Sequence, residues 1–312
     1  MIGIWVDYLD REFLDNNFNK LVNSGLVNGL TSNPAIFSNA LKKDIYKKDL
    51  ETLKGKSSKE KYEKMAIKDI QKACDILKPL YDEGNDGFAS IEIDPRLIDD
   101  AKGSIDEALR LYDMIERENV MIKIPANEAG FKAMEELAKR GININATLVF
   151  SPNQAMKALE AINKGNVEGV ISVFVSRFDR KLNPLLEKHN LAKDRVGFFN
   201  AIKIYNQIQN ANIPNIRTLF ASTGVKQQYL PKDYYVQNLY LPNSVLTLPL
   251  DVIETIKDKE IQESFLFQTK HIDAFFSFLT PSGINLQRTY RELFDEGVKA
   301  FEEAFENMLN SI

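Results

Sequence analysis

The sequence predicts an α/β fold, a (β/α)8 TIM barrel with additional helices and a C-terminal amphipathic helix. Short β-branched, apolar runs alternate with longer amphipathic stretches, which is typical of βα units around a buried parallel sheet. The length of 312 residues agrees, because such a barrel needs about 250 residues and often carries helical additions. We therefore expect a single domain over residues 1–312.

Eight predicted strands follow one another along the chain. They lie at residues 2–7, 27–31, 88–93, 120–124, 142–148, 170–175, 216–221 and 245–249. Eight strands interleaved with helices favour a closed barrel over an open doubly wound sheet.

Two further segments predict helices outside the repeating βα pattern. Residues 41–86 form a long, Lys-rich connection between the second and third strands, with a capping-box pattern of Ser57 and Glu60. This pattern predicts a helical insertion whose Lys, Asp and Glu residues form a solvated face. Apolar residues recur at helical spacing over 286–310, which predicts a C-terminal helix packed on the body or on a second subunit. These residues are Leu293, Phe301, Phe305 and Met308.

Composition and charge exclude several functional classes. The formal charge of −4 offers no positive field for a polyanion, so we expect no nucleic-acid partner. No uninterrupted run of about 18 apolar residues occurs, and the first residues lack the basic and apolar regions of a signal peptide. We therefore expect no membrane association and a cytoplasmic location.

Metal and cofactor motifs are largely missing from the sequence. Cys74 is the only cysteine and the chain has 2 histidines, so clustered Cys/His metal sites are excluded, although a carboxylate-bound metal stays formally open. Neither the G-x-G-x-x-G fingerprint of dinucleotide binding nor the G-x-S-x-G pattern of α/β-hydrolases occurs. We expect no metal and no cofactor.

Polar residues interrupt the apolar strands at alternate positions. Because strand side chains alternate in direction, residues two apart share a face, and the apolar residues between them pack outward. The polar residues predicted to face the barrel interior are Asp7, Ser90, Glu92, Asp94, Lys123, Asn143, Asn145 and Thr147. Together they predict a cavity that holds one ammonium group, carboxylates, amides and hydroxyls.

This arrangement has a structural and a functional interpretation. A buried Lys–Glu ion pair could simply fill the barrel. The number of polar groups near the carboxyl ends of the strands favours a functional site, because active sites of such barrels lie there. A desolvated lysine amine can attack a carbonyl and form a Schiff base, and carboxylates can then transfer the protons. Glu92 and Asp7 are the candidate carboxylates for Lys123.

Five motifs resemble the transaldolase family in its longer bacterial form, in the order in which that family has them. The similarity extends from Ile4 to about Pro249. The motifs are Asp7 after the first strand, LTSNPAIF at 30–37, SIEIDPR at 90–96, MIKIPA at 121–126 and INATL at 144–148.

The resemblance implies a role for each matching residue. It implies that Lys123 forms the Schiff base, that Glu92 and Thr147 hold a water molecule for proton transfer, and that Asp7 is the acid/base at the cleaved bond. Asn33 and Asn145 match positions that bind hydroxyls of a dihydroxyacetone unit. Turn capping is the alternative role of Asn33.

Phosphate binding is implied by residues near the ends of two later strands. Ser172 and Arg177 match the phosphate-holding pair, and a guanidinium suits bidentate phosphate contact. Ser222 matches a further position, but the family places an arginine closer to it than Lys226 stands here. Lys226 could replace that arginine on the phosphate, or the altered spacing could leave it on the surface.

The expected function is that of a transaldolase, which transfers dihydroxyacetone from sedoheptulose 7-phosphate to glyceraldehyde 3-phosphate. A fructose 6-phosphate aldolase is the nearest alternative. The length of the chain, Glu92 and Phe174 argue against it, because those shorter enzymes resemble this pattern except for an amide and a tyrosine at the two positions. A non-catalytic sugar-phosphate-binding barrel is the alternative from another class. We expect sugar phosphates as partners and a monomer or homodimer.

Overall fold

The computed structural model describes residues 2–312 and contains a closed barrel of eight parallel strands, each paired with its neighbours in chain order. The predicted (β/α)8 barrel is thereby confirmed. The strands are β1 (Ile2–Asp7), β2 (Gly29–Thr31), β3 (Phe88–Glu92), β4 (Val120–Pro125), β5 (Ile144–Val149), β6 (Gly169–Phe174), β7 (Ile216–Ala221) and β8 (Ser244–Leu248). The observed ends lie within two residues of the predicted ones.

Helices cover the outside of the barrel and extend beyond the repeating pattern. The first, α1 (Arg11–Phe13), continues through a π-helical segment (Leu14–Phe18) into α2 (Asn19–Asn23). The others are α3 (Pro34–Ala40), α4 (Lys47–Thr52), α5 (Ser58–Asp82), α6 (Ala101–Ile115), α7 (Glu128–Lys139), α8 (Pro152–Ile162), α9 (Ser176–Lys188), α10 (Val196–Asn210), α11 (Tyr234–Leu239), α12 (Leu250–Ile256), α13 (Thr269–Ser277) and α14 (Leu286–Asn310). Within residues 2–312, none of the helices has the length and apolar character needed to cross a bilayer.

The strands of the barrel are buried on both faces, as parallel strands covered by helices must be. In β4, every residue is buried. Ile122 and Ile124 belong to the apolar layer between sheet and helices, whereas Lys123 points into the barrel. The alternation of side chains along the strand therefore separates the packing residues from the polar ones.

The connection between β2 and β3 is helical. It contains a 3-10 helix (Asp44–Tyr46), α4 and the long α5, which packs on β3. The predicted capping box is confirmed, because the Glu60 backbone N–H donates to the Ser57 hydroxyl and the Ser57 backbone N–H donates to the Glu60 carboxylate. These two hydrogen bonds fix the first turn of α5.

The C-terminal helix α14 buries the apolar stripe that the sequence predicts. Leu293, Phe301, Phe305 and Met308 are all buried. The helix packs on α3, α5 and β5, and it also contacts the 3-10 helix that follows β3 (Pro95–Leu97). It therefore lies against the end of the barrel at which the strands finish.

Strand register brings the polar residues together. Glu92 of β3 is paired with Lys123 of β4, and Lys123 is paired with Asn145 of β5. On the other side of the barrel, Asp7 of β1 is paired with Thr31 of β2. Neighbouring strands thus place a carboxylate, an ammonium and an amide side by side in β3, β4 and β5.

Candidate active site

A cavity of about 120 Å³ lies at the carboxyl ends of the strands. This is the end of a (β/α)8 barrel at which active sites are built. Its lining residues are Asp7, Thr31, Asn33, Lys123, Thr147, Ser172, Phe174, Arg177, Ala221, Ser222, Thr247 and Phe301. Seven of the eight strands contribute residues to this lining, and several predicted site residues are among them, so this cavity is the candidate active site.

Lys123 stands at the centre of this site. Its side chain is 7% exposed, and its Nζ donates a hydrogen bond to the Ser32 carbonyl oxygen at 2.9 Å. The Glu92 carboxylate Oε2 lies 3.3 Å from the same Nζ. A buried lysine amine that borders a cavity beside a carboxylate is a candidate nucleophile toward a carbonyl group.

Glu92 and Thr147 are buried polar groups beside Lys123. Apart from its ion pair with Lys123, the Glu92 carboxylate has no hydrogen-bond partner among residues 2–312, and neither has the Thr147 hydroxyl. Burial raises the pKa of the Glu92 carboxyl, and the nearby Lys123 ammonium opposes that shift. Two buried oxygen-bearing groups with unused hydrogen-bonding capacity are suited to holding a water molecule between them.

Asp7 lies across the cavity at the end of β1. Burial raises the pKa of its carboxyl, and this effect is opposed by the Lys123 ammonium and by a hydrogen bond from Thr31. The Thr31 hydroxyl donates to Asp7 Oδ1 at 2.8 Å and lies 2.5 Å from the Thr247 hydroxyl. A carboxyl group with a raised pKa accepts a proton more readily than an ordinary aspartate, which suits a proton-transferring role.

Amides and hydroxyls form one wall of the site. Asn145 Nδ2 donates to the Ser90 hydroxyl at 3.1 Å, and the Ser172 hydroxyl donates to Asn145 Oδ1 at 2.7 Å. Asn33 lines the cavity and also begins α3, where its Oδ1 accepts a hydrogen bond from the Ile36 N–H at 3.1 Å. Asn33 therefore has the capping contact that the sequence left as an alternative role, together with a position in the site.

Arg177 lines the cavity from the first turn of α9. Its guanidinium lies over the Phe174 ring, 4.9 Å from the ring centroid, and forms no salt bridge with any carboxylate in residues 2–312. Burial lowers the pKa of the guanidinium, and the neighbouring Arg180 acts in the same direction. Ser222 lies beside it, with its hydroxyl 3.0 Å from that of Ser176. A half-buried cation without a carboxylate partner is suited to binding an anion.

Three polar residues singled out in the sequence lie away from the cavity. The prediction for Asn143 is wrong, because this residue precedes β5 and its amide hydrogen-bonds the backbone of Glu118 and Glu168 at the other end of the strands. Lys226 is exposed and is not among the lining residues. The prediction that Asp94 faces the interior is wrong, because β3 ends at Glu92 and the chain turns into a 3-10 helix that Asp94 caps. Asp94 instead forms ion pairs with Lys59 and Arg96.

Sequence reasoning missed four lining residues, which are Thr31, Ala221, Thr247 and Phe301. Thr31 and Thr247 are polar residues in apolar strands, so the alternation that identified Glu92 could also have identified them. Phe301 offered no such signal, because only the packing of α14 against the barrel brings it to the cavity.

Among residues 2–312, no group of three or more His, Cys, Asp or Glu side chains is arranged to hold a metal ion.

Comparison with known proteins identifies the family. The model of a family described as Transaldolase/Fructose-6-phosphate aldolase matches residues 4–312. The chain belongs to this family. A protein of Campylobacter jejuni subsp. jejuni named Transaldolase is 47% identical over 328 positions, which cover 99% of each chain. A protein of Helicobacter pylori with the same name is 44% identical over 313 positions, covering 99% of this chain and 98% of the relative. Membership of the transaldolase/fructose-6-phosphate aldolase family confirms the resemblance found in the sequence and supports an enzyme of the aldolase or transferase type.

Proposed function

We propose that the protein is a transaldolase that transfers a dihydroxyacetone unit between sugar phosphates through a Schiff base on Lys123. The observation that carries this proposal is the position of the Lys123 amine, which faces the cavity 3.3 Å from Glu92, with Asp7 lining the same cavity. The chemistry needs one amine and two separate proton-transferring groups, and these three residues supply them.

In the first stage, Lys123 passes a proton to Glu92 through a water molecule, and the resulting amine attacks the ketone carbon of a donor such as sedoheptulose 7-phosphate. An N–H proton moves to the former carbonyl oxygen, which gives a carbinolamine. Glu92 then delivers a proton to the departing hydroxyl through a water molecule held with Thr147, and loss of water leaves the iminium. The unused hydrogen-bonding capacity of Glu92 and Thr147 supports this role. The raised pKa of Glu92 favours its protonated form, which is the form that can donate this proton.

In the second stage, Asp7 takes the proton from the hydroxyl on the carbon beyond the breaking bond. The carbon–carbon electron pair moves toward the iminium, erythrose 4-phosphate leaves, and an enamine of dihydroxyacetone stays on Lys123. The enamine then attacks the aldehyde of glyceraldehyde 3-phosphate, and Asp7 returns its proton to the new hydroxyl. Hydrolysis of the iminium releases fructose 6-phosphate and restores the amine.

The substrate-binding groups divide between the two ends of the sugar. We assign the hydroxyls of the dihydroxyacetone unit to Asn33, Asn145 and Ser172; Asn33 and Ser172 line the cavity, and Asn145 accepts a hydrogen bond from Ser172. We assign the phosphate to Arg177 and Ser222, which also line the cavity, together with the positive N-terminus of α9 at Ser176. Lys226 would add a second cation only if its exposed side chain turned toward the bound phosphate.

Transfer, rather than release of free dihydroxyacetone, is favoured by the aromatic wall of the cavity. Phe174 and Phe301 pack against each other with ring centroids 6.5 Å apart, and both line the cavity. Neither ring can donate a proton to the enamine carbon. An enamine that is not protonated persists until a second aldehyde arrives.

The test is an assay with sedoheptulose 7-phosphate and glyceraldehyde 3-phosphate, each alone and both together. We expect erythrose 4-phosphate to form catalytically only when both are present. Free dihydroxyacetone released from one sugar would identify an aldolase instead. Absence of any conversion, together with binding of either sugar phosphate, would identify a non-catalytic binding barrel.

The Lys123→Met variant provides the matched control, because its side chain fills similar space without an amine. Borohydride added with fructose 6-phosphate should reduce the imine and attach the sugar carbons to the peptide that contains Lys123. In the variant we expect no label and a loss of activity of at least about a thousandfold. A folded variant with substantial activity, or a label on another lysine, would contradict the proposed mechanism.

A further inference from the structure

Gly297 lies in the middle of α14, on the face that is turned toward the barrel. It is buried, and a Cβ atom built on it would lie 2.9 Å from Arg177 Nη1 and 2.9 Å from Leu148 Cδ2. Real Cβ atoms do not approach other heavy atoms so closely. The backbone of α14 can therefore reach the Arg177 side chain only because residue 297 has no side chain.

A glycine at this position has a cost for the helix. Glycine in a helix interior is less favourable than alanine, because it loses more conformational freedom when the helix forms. The backbone around Gly297 is helical and requires no positive φ angle. The close contact with Arg177 and Leu148 is the feature that explains a glycine here.

The neighbours of Arg177 show what this contact does. The Phe174 ring covers one side of the guanidinium, and α14 at Gly297 approaches another. Phe301, one helical turn after Gly297, lines the same cavity and packs against Phe174. Arg177 is thus held in place by packing and not by a carboxylate, and its charge stays available to the cavity.

Leu148 is less able to move than Arg177. It is fully buried against Phe150 and Phe174, and its backbone has a φ of 56°, where the pairing of β5 with β6 shifts register between Ala146 and Val149. A bulky residue rarely adopts this left-handed conformation, so its place is set by the bulge. A side chain at position 297 would therefore displace the flexible end of Arg177.

We propose that Gly297 is a positioning residue that sets the location of the Arg177 guanidinium for phosphate binding. The inference rests on the proposed function, in which Arg177 holds the substrate phosphate. It makes α14 a functional part of the site, since the close approach of its backbone determines where the cation lies.

The test compares Gly297→Ala with Ala300→Gly, which alters helix propensity at an exposed position of the same helix. For each, KM and kcat for fructose 6-phosphate transfer are measured, together with the affinity for inorganic phosphate by calorimetry. For Gly297→Ala we expect KM and the phosphate Kd to rise about tenfold, with kcat changed less than about twofold, because a charge-assisted contact is weakened. Ala300→Gly should leave all three values unchanged.

The outcomes separate this inference from the proposed function. Arg177→Ala is the reference for complete loss of the phosphate contact. A folded Gly297→Ala protein with unchanged KM and unchanged phosphate Kd would overturn the inference about Gly297. Transfer activity of the parent protein would still support the proposed function in that case. If the parent protein lacks transfer activity but Gly297→Ala still weakens phosphate binding, the proposed function is wrong and the inference about Gly297 stands. A merely structural role would alter the thermal midpoint and kcat but not the phosphate Kd.

Discussion

Asp7, Glu92 and Lys123 place three ionisable groups in one small, buried volume. Burial raises the pKa of both carboxyls, so their charged forms are less favourable in the folded protein than in the unfolded chain. A carboxyl with a raised pKa binds its proton more tightly when folded, and the free energy of unfolding therefore falls as pH rises through the interval between the unfolded and folded values. The fold thus gives up stability at the residues that transfer protons.

Thr31 is one of the groups that affect the pKa of Asp7. Its hydroxyl donates to the carboxylate and lowers a pKa that burial raises. In the proposed mechanism Asp7 must be ionised to take up a proton, so activity is lost as pH falls through its pKa. Thr31→Val removes the donor and should raise that pKa further. We expect the acid limb of the pH profile of kcat/KM to move to higher pH.

Thr31→Ser is the matched control, since it keeps the hydroxyl and loses a methyl group. Its acid limb should stay with that of the parent protein. An unchanged profile for a folded Thr31→Val protein would show that Thr31 does not influence the group that limits activity at low pH.

Several of these residues could be predicted from the sequence because strand periodicity is local. Lys123 and Glu92 stand between apolar residues that must face the helices, so their inward direction follows. Asp94 broke the pattern because the strand had already ended, and the point where a strand ends depends on its partner strand. The distances among Lys123, Glu92 and Asp7 depend on barrel closure and register, which one sequence does not specify.

At the level of elements, Asn33 links the start of a helix to the site. Its Oδ1 caps α3, and in the proposed mechanism its Nδ2 donates to a substrate hydroxyl in the cavity. Asn33→Asp keeps an oxygen that caps equally well but removes the donor. We expect its free energy of unfolding to stay within about 0.5 kcal/mol of the parent value and kcat/KM to fall about tenfold.

Asn33→Ala separates the two roles, because it removes both the cap and the donor. Urea unfolding should show a loss of about 1 kcal/mol in addition to the loss of activity. Full activity in Asn33→Asp would confine Asn33 to the capping role.

The helices differ in how far the sequence could place them. The capping box at Ser57 and the apolar stripe of α14 are local patterns, and both formed as predicted. The sequence left open whether α14 packs on its own barrel or on another subunit, and periodicity could not decide this, since either partner buries the same stripe. Its packing on α3 and β5 brings Phe301 and Gly297 to the site.

On the scale of the whole molecule, the two ends of the barrel have different tasks. The candidate site occupies the end at which the strands finish. At the opposite end, the Asp86 carboxylate accepts hydrogen bonds from the Trp5 indole N–H at 2.9 Å and from Arg217 at 2.8 Å. Trp5 is fully buried, and Arg217 is the second residue of β7. Asp86 therefore connects β1 and β7 and closes the barrel at the end where mutations affect stability more than catalysis.

Asp86→Asn should destabilise the fold without changing the chemistry. An amide has one acceptor oxygen, so either Trp5 or Arg217 would face an N–H group, and the partly buried Arg217 would lose its ion pair with Asp86. Asparagine tolerates the positive φ of 79° at this position, so backbone strain is not added. We expect the free energy of unfolding in urea to fall by about 3 kcal/mol with kcat unchanged.

Asp44→Asn is the control, because it breaks an ion pair with Lys47 in which both side chains are exposed, and it should leave the stability unchanged. Equal stability of the two variants would mean that closure of the barrel does not depend on Asp86, whereas a loss of kcat in Asp86→Asn would mean that the two ends are coupled.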